Sequence, residues 1–103
     1  MHKLPLNYFV DVDGVLIDHN DNLNKELVEE LSRIKENGSH LICWSAGGED
    51  YALKILKEHK IDHLFNKVIS KPDVAIDDEL NMGIKKFTAN EFLSRYHKIS
   101  SFS

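Results

Sequence analysis

Short apolar segments alternate with segments of helical period along most of this sequence. The apolar segments are rich in aromatic and β-branched residues, which favours buried strands at residues 8–12, 41–44, 67–70 and 74–76. Between the first three lie two amphipathic stretches, whose apolar faces carry Leu23, Leu27, Leu31 and Ile34 in one and Ala52, Ile55, Leu56 and His59 in the other. Because successive parallel strands need a crossover connection, this alternation predicts an α/β domain with a mainly parallel sheet.

Local signals place the ends of two helices. Asn37-Gly38 is a typical helix stop after the first amphipathic segment. Near the end of the chain, Thr88 and Glu91 have the spacing of a capping box, which predicts that a third helix begins there.

Composition narrows the class of protein. A chain of 103 residues with 42% hydrophobic and 29% charged residues is expected to form one globular domain, residues 1–103. Its single cysteine, Cys43, excludes an intrachain disulfide, and the lack of a long apolar run predicts a cytoplasmic protein without a membrane span. The net charge is −4, and no basic stripe gives a strong signal for nucleic-acid binding by charge alone.

Polar residues follow three of the predicted strands. Asp11 and Asp13 end the first, Ser45-Ala46-Gly47 follows the second, and Asp77-Asp78 ends the fourth. Ligands of open α/β sheets bind at the carboxyl ends of the strands. We therefore expect these residues to share one edge of the sheet and to form a site there.

The acidic pairs have both a structural and a chemical interpretation. Asp-x-Asp-Gly is common in turns, and Asp77-Asp78 could simply begin the next element. Alternatively, Asp11 could accept a phosphoryl group while Asp13 protonates the leaving oxygen and then activates water. Four converging carboxylates would repel one another without a cation, and Mg²⁺ prefers carboxylate and phosphate oxygens. If Asp11, Asp13, Asp77 and Asp78 share an edge, Mg²⁺ is the predicted cofactor.

The segment after the second strand has the composition of a phosphate-binding turn. Ser45, Ala46 and Gly47 could bind a phosphate through the Ser hydroxyl and backbone N–H groups at the start of the second helix. A flexible turn between a strand and a helix is the alternative for such a short motif.

In this order, the motifs resemble those of the haloacid-dehalogenase (HAD) superfamily of phosphohydrolases. Residues 9–15 match its first motif, residues 41–45 its second and residues 74–78 its fourth. The resemblance implies a three-layer α/β/α fold with a mainly parallel, doubly wound sheet. It also implies an aspartyl-phosphate mechanism with a phosphorylated substrate.

The same resemblance implies a role for each site residue. Asp11 would be nucleophile and Mg²⁺ ligand, and Asp13 the general acid/base that also gives the metal its backbone carbonyl. Asp78 would ligate Mg²⁺ directly, and Asp77 directly or through water. Ser45 would hold the transferring phosphoryl group.

The family's neutralising lysine has two candidates. By order it is Lys71, but a straight strand over the five residues between Lys71 and Asp77 would separate them by roughly 20 Å. If Pro72 marks a tight turn between antiparallel segments, Lys67 would lie nearer the acids. Lys71 is the nominal choice and Lys67 the alternative.

No cap domain fits between these motifs. About twenty-five residues separate Ser45 from Lys71, so the predicted site is open to solvent. Such a site suits a large or exposed phosphoester, which could be macromolecular. Alternatively, a second subunit of a homo-oligomer partly covers the site. The sequence does not decide between hydrolysis and transfer to another acceptor. Rival interpretations are an inactive HAD-like binding module and a receiver-like signalling domain, although the strand at residues 41–44 lacks the acid that a receiver needs.

Overall fold

The computed structural model describes residues 6–100, and the side chains of residues 6–95. Three parallel strands, β1 (Asn7–Asp11), β2 (His40–Ser45) and β3 (Lys67–Ser70), form an open sheet in the order β1-β2-β3. Helix α1 (Lys25–Glu36) connects β1 to β2, and α2 (Glu49–Glu58) with a short 3₁₀ helix (Asp62–Leu64) connects β2 to β3. Helix α3 (Ala89–Ser100) follows a long irregular segment. The predicted α/β class and parallel sheet are thus confirmed.

Local sequence chemistry accounts for the helix ends. Asn24 caps α1 by accepting a hydrogen bond from the Leu27 N–H through its side-chain oxygen, at 3.1 Å. After Asn37 at the C-cap of α1, Gly38 has φ of 97°, a left-handed conformation that suits glycine. The predicted capping box is confirmed, because Thr88 Oγ1 accepts from the Glu91 N–H while Glu91 Oε1 accepts from the Thr88 N–H.

The core lies between one face of the sheet and the helices. Leu41 and Cys43 of β2 are fully buried with Val10 of β1, and they pack with Leu31 of α1 and Leu56 of α2. Helix α3 joins the same side, where the ring of Phe92 meets Tyr8 edge-on at 6.3 Å. The described helices therefore cover one face of the sheet, and the described residues form two layers.

The predicted fourth strand is wrong. Residues 74–76 form no strand, and Val74 and Ile76 are 78% and 98% exposed. Pro72 and Asp73 precede this apolar stretch and Asp77 follows it, so only three residues carried the prediction. A short apolar run needs a pairing partner to become a strand, and the outer edge of β1 does not pair with this one.

Burial of Cys43 leads to the first prediction. Burial, helped by the nearby charge of Asp11, raises the pKa of Cys43 to about 12, whereas a thiol in the unfolded chain has a pKa of about 8.5. At pH 8 the thiol of the folded chain is therefore buried and largely protonated, and we expect an aromatic disulfide reagent to react only after denaturant is added. The absorbance of the released thiol measures this, with Cys43→Ala as the blank. Rapid reaction of the native protein would contradict the buried position.

Candidate functional site

Lys71 and Asp11 meet at the carboxyl edge of the sheet. Lys71 Nζ lies 3.6 Å from Asp11 Oδ2, and both side chains are partly exposed. The backbone explains the encounter: the Lys71 N–H donates to the Ser45 carbonyl at 2.8 Å, which extends the pairing of β3 with β2 by one step. Lys71 then reaches across β2, where its ammonium lies 5.6 Å from the centre of the Trp44 ring.

The register of the strands puts these groups on one face. Asp11 lies opposite Trp44, and Trp44 lies opposite Ile69, two residues before Lys71. Because side chains alternate between the faces of a sheet, Asp11, Trp44, Ile69 and Lys71 point the same way. Because β1 and β3 are parallel, both end on the same side of the sheet, and the Lys71 side chain can reach Asp11 directly. Lys67 begins β3 and therefore lies at the amino-terminal ends of the strands, away from Asp11.

Asp13 is held by a residue that the sequence pattern did not single out. The Tyr51 hydroxyl, on the first turn of α2, donates to Asp13 Oδ1 at 2.8 Å. This hydrogen bond is the main cause that raises the pKa of Tyr51 above its usual value. The Tyr51 ring also lies against Gly47, where an added Cβ would come within 2.9 Å of it. Tyr51 thus ties Asp13 to the turn between β2 and α2.

Ser45 shapes that turn from inside. It is only 1% exposed, and its Oγ accepts a hydrogen bond from the Gly47 N–H at 3.0 Å. Gly48, with φ of 102°, ends the turn, and the Glu49 N–H donates to Ser70 Oγ at the end of β3. Ala46 and Gly47 are exposed, so the backbone of the turn, rather than the Ser45 side chain, faces solvent.

Asp77 and Asp78 lie in the exposed segment between β3 and α3. Asp77 Oδ1 accepts from the Glu79 N–H at 3.0 Å, and this bond is the first cause that lowers the pKa of Asp77. Within the described part of the chain, no three His, Cys, Asp or Glu side chains form a group that could hold a metal ion. The structure therefore brings Asp11, Lys71, Asp13 and the turn after Ser45 to one edge, but does not join Asp77 and Asp78 to them as metal ligands.

The donor chemistry of the edge still admits a hard cation in part. Mg²⁺ is commonly held by one or two carboxylates together with waters and a substrate phosphate. Asp11 and Asp13 supply carboxylates of that type, whereas the described residues do not group Asp77 and Asp78 with them. The site thus contains two carboxylates, those of Asp11 and Asp13, and the ammonium group of Lys71.

The Tyr51–Asp13 contact leads to the second prediction. Tyr51→Phe keeps the ring against Gly47 but removes the hydrogen bond to Asp13. If Asp13 takes part in catalysis, we expect phosphate release to fall about five-fold, the effect of losing about 1 kcal/mol of interaction. Steady-state release of phosphate measures this, and Tyr8→Phe, at the opposite end of β1, is the matched control. An unchanged rate would show that the hydrogen bond does not matter for turnover.

Comparison with known proteins gives no relative. No family model, curated protein or solved structure matches this chain. In the described residues, no helix is long and apolar enough to cross a membrane.

Proposed function

We propose that this protein is a phosphoric monoester hydrolase that uses Asp11 as its nucleophile, in the manner of the HAD superfamily that its motifs resemble. The observation that carries the proposal is the 3.6 Å approach of Lys71 Nζ to Asp11 Oδ2 at the carboxyl ends of parallel strands. A nucleophilic carboxylate that becomes an aspartyl-phosphate gains negative charge. A cation beside it offsets that charge in both steps.

The residues at the edge supply both steps of the reaction. In the first, an Asp11 carboxylate oxygen attacks the phosphorus, the bond to the leaving oxygen breaks, and protonated Asp13 gives that oxygen its proton. In the second, Asp13 takes a proton from water, the water oxygen attacks the phosphorus, and the bond to Asp11 breaks to release inorganic phosphate. Tyr51 occupies Asp13 Oδ1, which leaves Oδ2 to carry the proton.

The turn between β2 and α2 is the proposed phosphate-binding element. Its exposed backbone at Ala46 and Gly47 lies at the start of α2, where the helix dipole attracts anions, and the Gly47 N–H already donates to Ser45 Oγ. Ser45 fixes the shape of the turn through its bond to Gly47. Glu49 and Asp50, in the first turn of α2, reduce that attraction, so Lys71 provides the principal positive charge.

Mg²⁺ is the proposed cofactor. Asp11, with the backbone carbonyl of Asp13, would hold it, and when bound it would neutralise charge on the phosphoryl oxygens. The resemblance assigns Asp77 and Asp78 to the same ion. Their position in an exposed segment does not support that assignment in the described arrangement.

An exposed substrate and a HAD-like architecture belong to the same proposal. The open parallel sheet, with helices on one face, supports two of the three layers that the resemblance implies. With α2 starting directly after the turn and β3 ending directly before Lys71, we propose that the site accepts a phosphate that projects from a large molecule. A binding module without turnover is the second candidate, and the separation of Asp77 and Asp78 from the other acids favours it.

The test is phosphate release from a panel of phosphomonoesters, with and without Mg²⁺, by the protein and by its Asp11→Asn variant. We expect release that depends on Mg²⁺ and on Asp11. Release by the variant at the rate of the unaltered protein would overturn the mechanism. No release from any ester would favour the binding module.

A further inference from the structure

The second face of the sheet is open. The helices pack on the face that carries Val10, Leu41 and Cys43, and the residues that alternate with these point the other way. A groove of about 420 Å³ lies on this open face, lined by Asn7, Phe9, His40, Ile42, Asn66, Lys67 and Ile69. Its volume is within the usual range for small-molecule sites.

An aromatic platform lies between this groove and the candidate site. Phe9 is 49% exposed, and its ring centre is 4.8 Å from that of Trp44, with the two planes tilted by 55°. Lys71 lies against Trp44, and this same Lys71 approaches Asp11. An exposed aromatic ring on an open sheet face offers a stacking surface for any nucleobase.

The polar groups around the platform are donors and cations. Lys67 and His40 line the groove, and Lys71 adjoins its aromatic end. Asn66 Oδ1 accepts from the Leu41 N–H, which leaves the side-chain NH₂ to donate elsewhere. The chain has 17 acidic residues, yet among the strand residues of this face only Asp11, at the site itself, is acidic. The face thus favours an anionic partner on a protein of net charge −4.

The spacing connects the platform to the site. Phe9 and Asp11 are two residues apart on one strand, which is about 6.6 Å. A base stacked on Phe9 and a phosphate at Asp11 can therefore belong to the same terminal nucleotide. The next phosphates would then run toward Lys67 and His40 at the opposite end of the strands.

We propose that the open face binds single-stranded nucleic acid and presents a terminal phosphomonoester to Asp11, an inference that gives the proposed hydrolase its substrate class. Stacking supplies the affinity, so the absence of a basic stripe in the sequence is compatible with it. A second copy of the chain fits this face less well. It would bury the exposed Lys67 of each copy in the interface, and burying an ammonium group costs free energy unless the group is paired.

Binding tests the face independently of turnover. An unphosphorylated, labelled single-stranded oligonucleotide of about eight nucleotides is titrated with the full chain and followed by fluorescence anisotropy. We expect Phe9→Ala to weaken binding about ten-fold or more, and Phe9→Trp to retain it. Phe9 lies outside the buried core, so the Phe9→Ala variant is expected to fold. Binding by Phe9→Trp would show that the aromatic ring, rather than the integrity of the fold, determines affinity.

Two charge-reversal variants complete the binding test. Lys67→Glu should weaken binding and lower its salt dependence, whereas Lys57→Glu, on the last turn of α2, should not. Equal binding by the unaltered chain and Phe9→Ala would overturn the inference. So would self-association that Phe9→Ala abolishes, because a second copy would then occupy the face.

Oligonucleotides with and without a terminal phosphate distinguish failure of this inference from failure of the proposed function. In the Asp11→Asn chain, an oligonucleotide with a terminal phosphate should bind more tightly than one without it. If the oligonucleotide binds through Phe9 but no phosphate is ever released by the unaltered chain, the proposed hydrolase fails and the binding face remains. If small esters are hydrolysed through Asp11 but no oligonucleotide binds, the inference fails alone.

Discussion

Asp11→Asn is expected to lower phosphate release at least about a thousand-fold, because an amide cannot replace the carboxylate as nucleophile. The variant should fold normally. Asn can still accept the hydrogen bond that Asp11 Oδ1 receives from the Val12 N–H at 2.8 Å. The ion pair that it loses is partly exposed, and such pairs contribute about 0–1 kcal/mol to stability. Phosphate release and thermal unfolding, measured side by side, separate loss of chemistry from loss of fold.

Acid quenching during turnover gives this prediction a second measurement. The unaltered protein should carry acid-stable, hydroxylamine-sensitive phosphate on Asp11, and Asp11→Asn should carry none. Asp62→Asn, near the amino-terminal end of β3, is the matched control and should behave like the unaltered protein. A phosphoprotein that persists for hours would instead favour a receiver-like domain. Phosphate release at the original rate in Asp11→Asn would exclude Asp11 as nucleophile.

The parts of the fold that local chemistry determines could be predicted from the sequence. β2 could be placed because a short continuous apolar run, such as residues 41–44, is typical of a buried parallel strand. The start of α3 could be placed because Thr88 and Glu91 satisfy each other's orphan N–H groups within one turn of chain. Since parallel strands deliver their carboxyl ends to one edge, Asp11 and the turn after Ser45 could be assigned to the same edge.

Other features depended on partners that are distant in sequence. Tyr51 bonds to Asp13 across 38 positions, and no local pattern marks such a contact. Ser45 was expected to face a ligand, but it is buried because it shares a face with Cys43. Residues 74–76 had the composition of a strand without a neighbour to pair with. In each case tertiary packing, rather than composition, decided the outcome.

The order of the motifs made Lys71 the nominal candidate, but the sequence left its distance from the acids open for the same reason. The expected strand at residues 74–76 made Lys71 seem too far from the acidic end of the sheet. Without that strand, Lys71 is the first residue after β3, and a bond from its N–H to Ser45 holds it at the edge where Asp11 lies. Lys67 is four residues earlier on an extended strand, about 13 Å away along the sheet.

Lys71→Gln is expected to lower kcat about a hundred-fold or more, because it removes the only ammonium group shown beside Asp11 in the described part of the chain. Stability should change little, since the Lys71 side chain is 41% exposed. Lys57→Gln, on an exposed part of α2, is the control for loss of one positive charge. Thermal unfolding and phosphate release of the two variants are compared with those of the unaltered protein.

The single tryptophan reports directly on this geometry. Lys71 Nζ lies 5.6 Å from the centre of the Trp44 ring, so its removal should shift Trp44 emission, whereas Lys57→Gln should leave it unchanged. A shift in emission together with a large fall in kcat would place the neutralising charge at Lys71. A shift without loss of turnover would show that Lys71 reaches Trp44 but does not serve the reaction. The neutralising charge at Asp11 would then have to come from another cation, and the contact between Lys71 and Asp11 would no longer support the proposed mechanism.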